Sequence, residues 1–216
     1  MKWSNKYAPQ KIYGMPRTLT VAVVAAVMTQ IPATSAYAQQ QRGVDISGYH
    51  AGAGLNTTLL KFDDGSDLDY GVGVNIDVGV NFNSRIGFFL SGTGAAISAD
   101  VDGLTLGHAD LGVRFSMPAP GSALVPYAEL AFTYLTAEHE SGEKEVEYSG
   151  KGGTGAFGFN YFVTQTVAFD TSIRFTKGKF NSVRVDGKKV SDGEGLTTGR
   201  INVGLAWFPK GKAKSQ

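Results

Sequence analysis

The sequence predicts an all-β fold: an eight-stranded antiparallel up-and-down transmembrane β-barrel after an N-terminal signal peptide. Three observations predict it. The chain opens on an export leader, its strongest segment alternates with period two over thirteen residues, and its charges share a face with glycine rather than with the large apolar side chains.

The leader comes first. Lys2, Lys6, Lys11 and Arg17 precede any acidic residue, and 18–28 (TLTVAVVAAVM) is an apolar run of signal-core length. Ala36-Tyr37-Ala38 is a small-x-small cleavage site, so residues 1–38 are expected to be removed and Gln39 to become the new N-terminus. The alternative is an uncleaved anchor, but the run is short against the ~20 residues a spanning helix needs. Removing 38 of 216 residues leaves 178, with 16 basic against 19 acidic residues, a net charge of −3. That balance does not suit a nucleic-acid binder, whose footprint is strongly basic. The absence of cysteine excludes a disulfide-stapled domain and a thiolate metal site.

The strand signal is clearest over 70–82, YGVGVNIDVGVNF. Tyr70, Val72, Val74, Ile76, Val78, Val80 and Phe82 form one face; Gly71, Gly73, Asn75, Asp77, Gly79 and Asn81 form the other. No helix produces that pattern. Thirteen residues is long for a globular strand and suits a tilted strand across a bilayer, which needs at least about 9–11. Aromatic residues at both ends of the apolar face sit where interfacial girdles belong. Seven further segments read the same way: 46–55, 85–97, 104–117, 125–136, 152–163, 166–177 and 198–208. Their connections alternate in length. Those at 83–84, 118–124 and 164–165 are short, whereas 56–69, 98–103, 137–151 and 178–197 are mostly longer and more charged. Short turns on one rim and long loops on the other is the outer-membrane pattern, with the short rim periplasmic. The barrel is expected over 39–209, followed by a short basic tail over 210–216 (KGKAKSQ).

Alternation alone does not say which face meets lipid. Asp77, Asp110, Arg114, Glu129, Asp170 and Arg174 share a register with Gly, Ser and Asn, opposite faces of Val, Leu, Ile and aromatics. The thirteen Phe of the chain do not readily fit the narrow interior of an eight-stranded barrel, while small residues and paired charges do. Lipid outside therefore accounts for the pattern, and closure removes sheet edges that would leave unpaired backbone groups in hydrocarbon. The expected lumen network is Asp77, Asp110, Glu129 and Asp170 against Arg114, Arg174 and Arg200. One reading is a selective pore with charge rings. The favoured one is a structural polar core whose charges are paired because lone buried ions are costly.

With these features in place the chain resembles the small eight-stranded outer-membrane proteins: OmpA transmembrane domains, OmpX, and the broad outer-membrane β-barrel or porin-like family. The resemblance covers nearly the whole mature chain and rests on strand pattern and loop alternation. It also extends to the last strand, where Gly204, Leu205, Trp207 and Phe208 look like the family's assembly signal, although Pro209 and seven further residues follow. The cell-wall-binding domain that follows the OmpA barrel is absent from this sequence. The resemblance implies contact with outer-membrane lipid and lipopolysaccharide, and biogenesis through the barrel assembly machinery and periplasmic chaperones. It implies a monomer with no nucleic-acid partner and no cofactor.

Sites of other kinds are weaker. A lipid A-modifying enzyme on such a barrel would need a nucleophile, a base and an orienting acid in contact. Of His50, His108 and His139, only His108 has an acid two residues on, Asp110, and the next position on that face is Gly112. No catalytic residue is assigned. The run 153–158 (GTGAFG) has the form of a nucleotide loop but enters an aromatic strand rather than a helix; its glycines are read as small lumen positions and places where aromatics overlie the backbone. Acids at Asp63, Asp64, Asp67 and Asp69, and at Glu138, Glu140, Glu143, Glu145 and Glu147, are read as solvated loops without a calcium-loop spacing, so no metal is assigned. Asn56-Thr57-Thr58 is a glycosylation sequon in form only. The function expected is a non-enzymatic outer-membrane barrel with a structural or surface-interaction role. The alternatives are a narrow passive channel and, behind it, a lipid A-modifying enzyme.

Overall fold

Alternating sequence becomes extended chain, and the extended chain closes on itself. The computed structural model describes residues 44–63, 68–98, 104–141, 144–185, 188–191 and 195–209, which contain strands and no helix. The expected leader and the basic tail lie outside the described residues. The strands are β1 (Gly48–Phe62), β2 (Asp69–Asn81), β3 (Ile86–Ser98), β4 (Leu104–Ser116), β5 (Leu124–Ser141), β6 (Lys144–Phe162), β7 (Val167–Val185), the short β8 (Lys188–Ser191) and β9 (Gly195–Trp207). Each of the long strands pairs antiparallel with its neighbour, and β9 pairs with both β7 and β1. The result is a closed eight-stranded up-and-down barrel, with β8 added to the end of β7 alone.

Closure depends on close backbone approach at the β1–β9 seam. Gly54 stands opposite Gly204. A methyl group on Gly54 would lie 2.7 Å from the Gly204 Cα, and one on Gly204 would lie 2.8 Å from the Gly54 Cα. Neither position has room for a side chain.

The short rim is held by local chemistry. Asn83 Oδ1 accepts from the Arg85 and Ile86 amides at 2.7 and 3.0 Å, and Thr164 Oγ1 accepts from the Val167 amide at 2.9 Å. These side chains supply turns that a polar backbone would otherwise make alone. Gly121 has a φ of 72° in the turn before β5, a value that favours glycine.

At the opposite rim the strands run further than the sequence pattern indicates. The segments 137–151 and 178–197, expected as loops, are mostly β-structure: β5 and β6 stay paired out to Ser141 and Lys144, and β7 continues to Val185. The first loop is shortened too, because β1 continues to Phe62. At 19 residues, β6 exceeds the membrane requirement by about eight, or roughly 26 Å of extended chain. Glycines, serines and charges interrupt the apolar face there, so periodicity fades where the sheet leaves lipid while backbone pairing continues.

The outer wall is as expected. Val72, Val74, Ile76 and Val78 on β2, Phe88 and Leu90 on β3, Leu130 and Phe132 on β5, and Phe157 on β6 are all at least half exposed. Tyr70 and Phe82 bracket the wall along β2. A continuous apolar surface of this kind is not compatible with water and is the expected lipid contact. Replacing Ile76 by Lys, near the middle of that wall, should cost about 2–4 kcal/mol, measured by reversible urea unfolding in vesicles. A cost near zero would place Ile76 off the lipid face.

Candidate functional site

The inward face collects side chains from every long strand into a filled lumen, stacked in layers along the barrel axis. At the short-turn rim, Ile46, Val125, Phe162, Ala168, Ala206 and Phe208 form an apolar cluster. Phe208 stacks on His50 with ring centroids 5.5 Å apart and lies 5.2 Å from the Phe162 ring. His50 Nε2 is 3.3 Å from Asp77 Oδ2.

The charge network follows. Arg114 Nε donates to Glu129 Oε1 at 2.7 Å, and Arg174 Nη2 lies 2.9 Å from Glu129 Oε2, so one carboxylate bridges two guanidinium groups. Arg174 also reaches Asp110 at 3.3 Å, and Arg200 reaches the same carboxylate oxygen at 3.0 Å. The chain of alternating charge is thus Arg114, Glu129, Arg174, Asp110, Arg200, with Asp77 at its near end, 3.9 Å from Arg114. Asp170 stands apart from the arginine chain and takes its hydrogen bond from the Tyr127 hydroxyl at 2.6 Å. The Tyr127 ring lies over Gly158, where a Cβ would meet the ring at 2.5 Å, and carries the Arg114 guanidinium 4.4 Å from its centroid.

Beyond the charges is a belt of hydroxyls. Thr133 Oγ1 donates to Asp110 at 2.7 Å, Arg200 donates to Thr176 Oγ1 at 2.9 Å, and His108 Nε2 lies 3.1 Å from Thr198 Oγ1. A second apolar cluster then closes the far end: Leu60, Ala95, Ile97, Leu106, Leu135, Ala137, Phe180 and Leu196, all buried.

All seven expected network residues therefore face the lumen and are buried, and six of them form ion pairs with one another. Asp170 is the exception, since its partner is a tyrosine that period-two reading leaves unassigned. His50 also joins the network without having been assigned to it. Its signal was its position on the face of Gly52 and Gly54.

The apolar clusters correct the expectation of a uniformly small or polar lumen. Phe89, Phe162, Phe180 and Phe208 are buried inside, whereas Phe82, Phe88, Phe115, Phe132, Phe157 and Phe175 point outward. A barrel end needs only a few large side chains to fill it, and those residues have the correct parity in the sequence. Of the expected assembly-signal residues, Leu205 and Trp207 lie on the outer wall, Phe208 is buried inside, and Gly204 belongs to the seam. Gly153 and Gly155 of the glycine-rich run are on the outer wall with nothing within 4 Å of a notional Cβ; they are not lumen positions. Asn56 and Thr58 of the sequon are buried in β1, hydrogen-bonded to each other at 2.9 Å, not exposed in a loop. Asp64, Asp67 and Glu143 fall outside the described residues. Among the described residues no group of three or more His, Asp or Glu is placed to hold a metal ion.

A closed barrel with an apolar outer wall and a paired, capped interior defines a transmembrane β-barrel of the smallest common size. The chain belongs to the outer membrane protein beta-barrel domain family, whose model matches residues 20–207. No curated protein matches it in sequence. Among solved structures it is similar to Neisserial surface protein A, with a TM-score of 0.62 at 18% identity, covering 75% of this chain and 97% of that one. It is also similar to Ail, the attachment invasion locus protein of Yersinia pestis, with a TM-score of 0.51 at 15% identity, covering 74% and 98%. At these identities the likeness is one of fold.

Three variants test this arrangement. Asp110→Ala leaves Arg174 and Arg200 without their shared carboxylate and should cost about 3–5 kcal/mol of unfolding free energy in vesicles; a loss under about 1 kcal/mol would mean the network is not coupled through it. Gly204→Val should lower the fraction of heat-modifiable, folded barrel by overpacking the seam, at about 1–3 kcal/mol, while Gly155→Val on the open outer wall should leave gel mobility unchanged.

Proposed function

We propose that this protein is an exported, non-enzymatic outer-membrane barrel with a sealed lumen, serving a structural or surface-interaction role through the part that projects beyond the membrane. The observation that carries this is the stacking of an alternating charge chain between two apolar clusters, which fills the lumen from rim to rim. A guanidinium held between two carboxylates is costly to displace, because the freed cation would be left buried and unpaired. An apolar layer at each end adds a barrier to hydrated ions. Both features favour a rigid plug over a selective pore.

Catalysis has little support from the geometry. His50 and His108 are buried in the lumen, out of reach of a lipid substrate on the outer wall. The projecting β5–β6 and β7–β8 hairpins are the natural place for specific contact, since a rigid scaffold lends its variable segments to recognition. In this reading residues 1–38 are cleaved on export. The mature chain is delivered by periplasmic chaperones to the barrel assembly machinery, and it functions as a monomer.

Planar-bilayer recording of the purified, refolded barrel should give no reproducible unitary conductance. Steady channels would replace the sealed reading with the passive-transport one.

A further inference from the structure

The charges inside the barrel do not balance. Among the described residues the four buried carboxylates Asp77, Asp110, Glu129 and Asp170 face the three buried guanidinium groups Arg114, Arg174 and Arg200. His50 does not make up the difference. Asn81 Nδ2 donates to the Ile46 carbonyl at 2.9 Å, which fixes the direction of its amide, and the same nitrogen lies 3.3 Å from His50 Nδ1. Nδ1 therefore accepts, and the one ring proton sits on Nε2, 3.3 Å from Asp77 Oδ2. Arg114 Nη1, 3.4 Å from that Nε2, is a further reason against a second positive charge there. His108 meets a hydroxyl, Thr198 Oγ1, and its Nδ1 is buried without a partner, so a second ring proton would have no acceptor.

One negative charge is left over, and its place is Asp170. The arginine chain takes up the other three carboxylates, whereas among the described residues no arginine forms an ion pair with Asp170. Its one hydrogen-bond donor is the Tyr127 hydroxyl, 2.6 Å from Oδ1 and 3.1 Å from Oδ2. Asp170 lies just inside the apolar cluster of the short rim, since Ala168, two residues before it, belongs to that cluster. An uncompensated carboxylate at that depth is strongly unfavourable.

A second observation is independent of charge. Asn160 on β6 is 1% exposed and stands directly opposite Asp170. Neither its Oδ1 nor its Nδ2 has a hydrogen-bond partner. Directly opposed residues have Cβ atoms about 4.5–5.5 Å apart, so the amide reaches whatever the Asp170 carboxylate holds. Tyr127 brings a third oxygen over Gly158, two residues from Asn160. On the other side Asp170 is opposite Gly204, which contributes no side chain. A buried amide with both ends unmet marks a place where an ion or water belongs. A proton on Asp170 does not supply the missing partner, because its hydroxyl would donate to Asn160 Oδ1, and that oxygen has no donor.

We propose that Asp170, Asn160 Oδ1 and the Tyr127 hydroxyl oxygen bind a monovalent alkali cation inside the barrel, with water completing its shell. The ligands are all hard oxygen donors, and one positive charge brings the lumen to neutrality. Calcium sites gather several carboxylates, and this one offers a single acid. Shell water accepts from Asn160 Nδ2. The site needs only the buried interior, so it stands whether or not the barrel conducts.

The test is reversible urea unfolding of the refolded barrel in phosphatidylcholine vesicles at mildly alkaline pH. Sodium, potassium and rubidium chloride are each compared with choline chloride at equal ionic strength. In at least one alkali salt the folding equilibrium constant should rise about tenfold for each tenfold increase in cation above its dissociation constant, with no such rise in choline. Asp170→Asn removes the charge at nearly constant shape and should unfold at the same midpoint in every salt. Asn160→Leu removes a ligand without altering the charge count and should weaken the apparent cation affinity about tenfold or more. A wild type with the same midpoint in alkali and choline salts would overturn the proposal, leaving water or a proton at Asp170. So would a wild-type salt response in Asp170→Asn or, should that variant not fold, in Asn160→Leu, since the cation would then lie elsewhere.

Discussion

A peptide group inside hydrocarbon has no water to bond, so every N–H and C=O in the spanning region must find a partner within the chain, or each unmet group costs several kcal/mol. Most of this molecule follows from that requirement. The strands must pair on both sides, so β9 must return to β1, and the two must approach closely enough that Gly54 and Gly204 leave no room for a Cβ. Closure around eight strands leaves a narrow interior. The inward face is therefore limited in volume, and the outward face takes the large apolar residues because lipid accepts them.

The narrow interior raises a second problem. Charged side chains on the inward face are removed from water and must neutralise one another. Here they do so in sequence: Glu129 joins Arg114 to Arg174, and Asp110 joins Arg174 to Arg200. Removing Asp110 would leave Arg200 without its ion-pair partner, and removing Glu129 would leave Arg114 only the 3.9 Å contact with Asp77, so the carboxylates hold the network together. The threonine belt accepts from the terminal nitrogens of Arg200, and Tyr127 satisfies Asp170 from a position that only the absence of a side chain at Gly158 permits. The apolar clusters then fill the ends, where the charges stop.

In the proposed reading the barrel is inert along its axis and differentiated on its outside. The lumen supplies rigidity. The wall carries the distinctions available to function, above all strands that continue well past the membrane-spanning length on one side. The fold is shared with proteins of low sequence identity, and a shared barrel carries little information about role, because role resides in the groups attached to it.

Much of this was legible in the sequence. The period-two pattern from Tyr70 to Phe82, the charges beside glycine and the alternation of connection lengths together specify strands, barrel, and which face meets lipid. The physical reason is that lipid contact and lumen volume act on each residue separately, so each leaves its mark at a single position. What depended on relations between distant strands was not legible. Nothing in the sequence says that Tyr127 reaches Asp170 or that Phe208 turns inward onto His50. Nor does periodicity show that the expected loops after β5 and β7 remain paired, since backbone hydrogen bonding outside the membrane needs no apolar face to report it. The sequence by itself determined the class of fold and the sign of each face, because a solvent selects residues one at a time. The seam, the order of the ion pairs and the two apolar seals were decided only by the tertiary structure, because register and closure set which side chains share the same few ångströms.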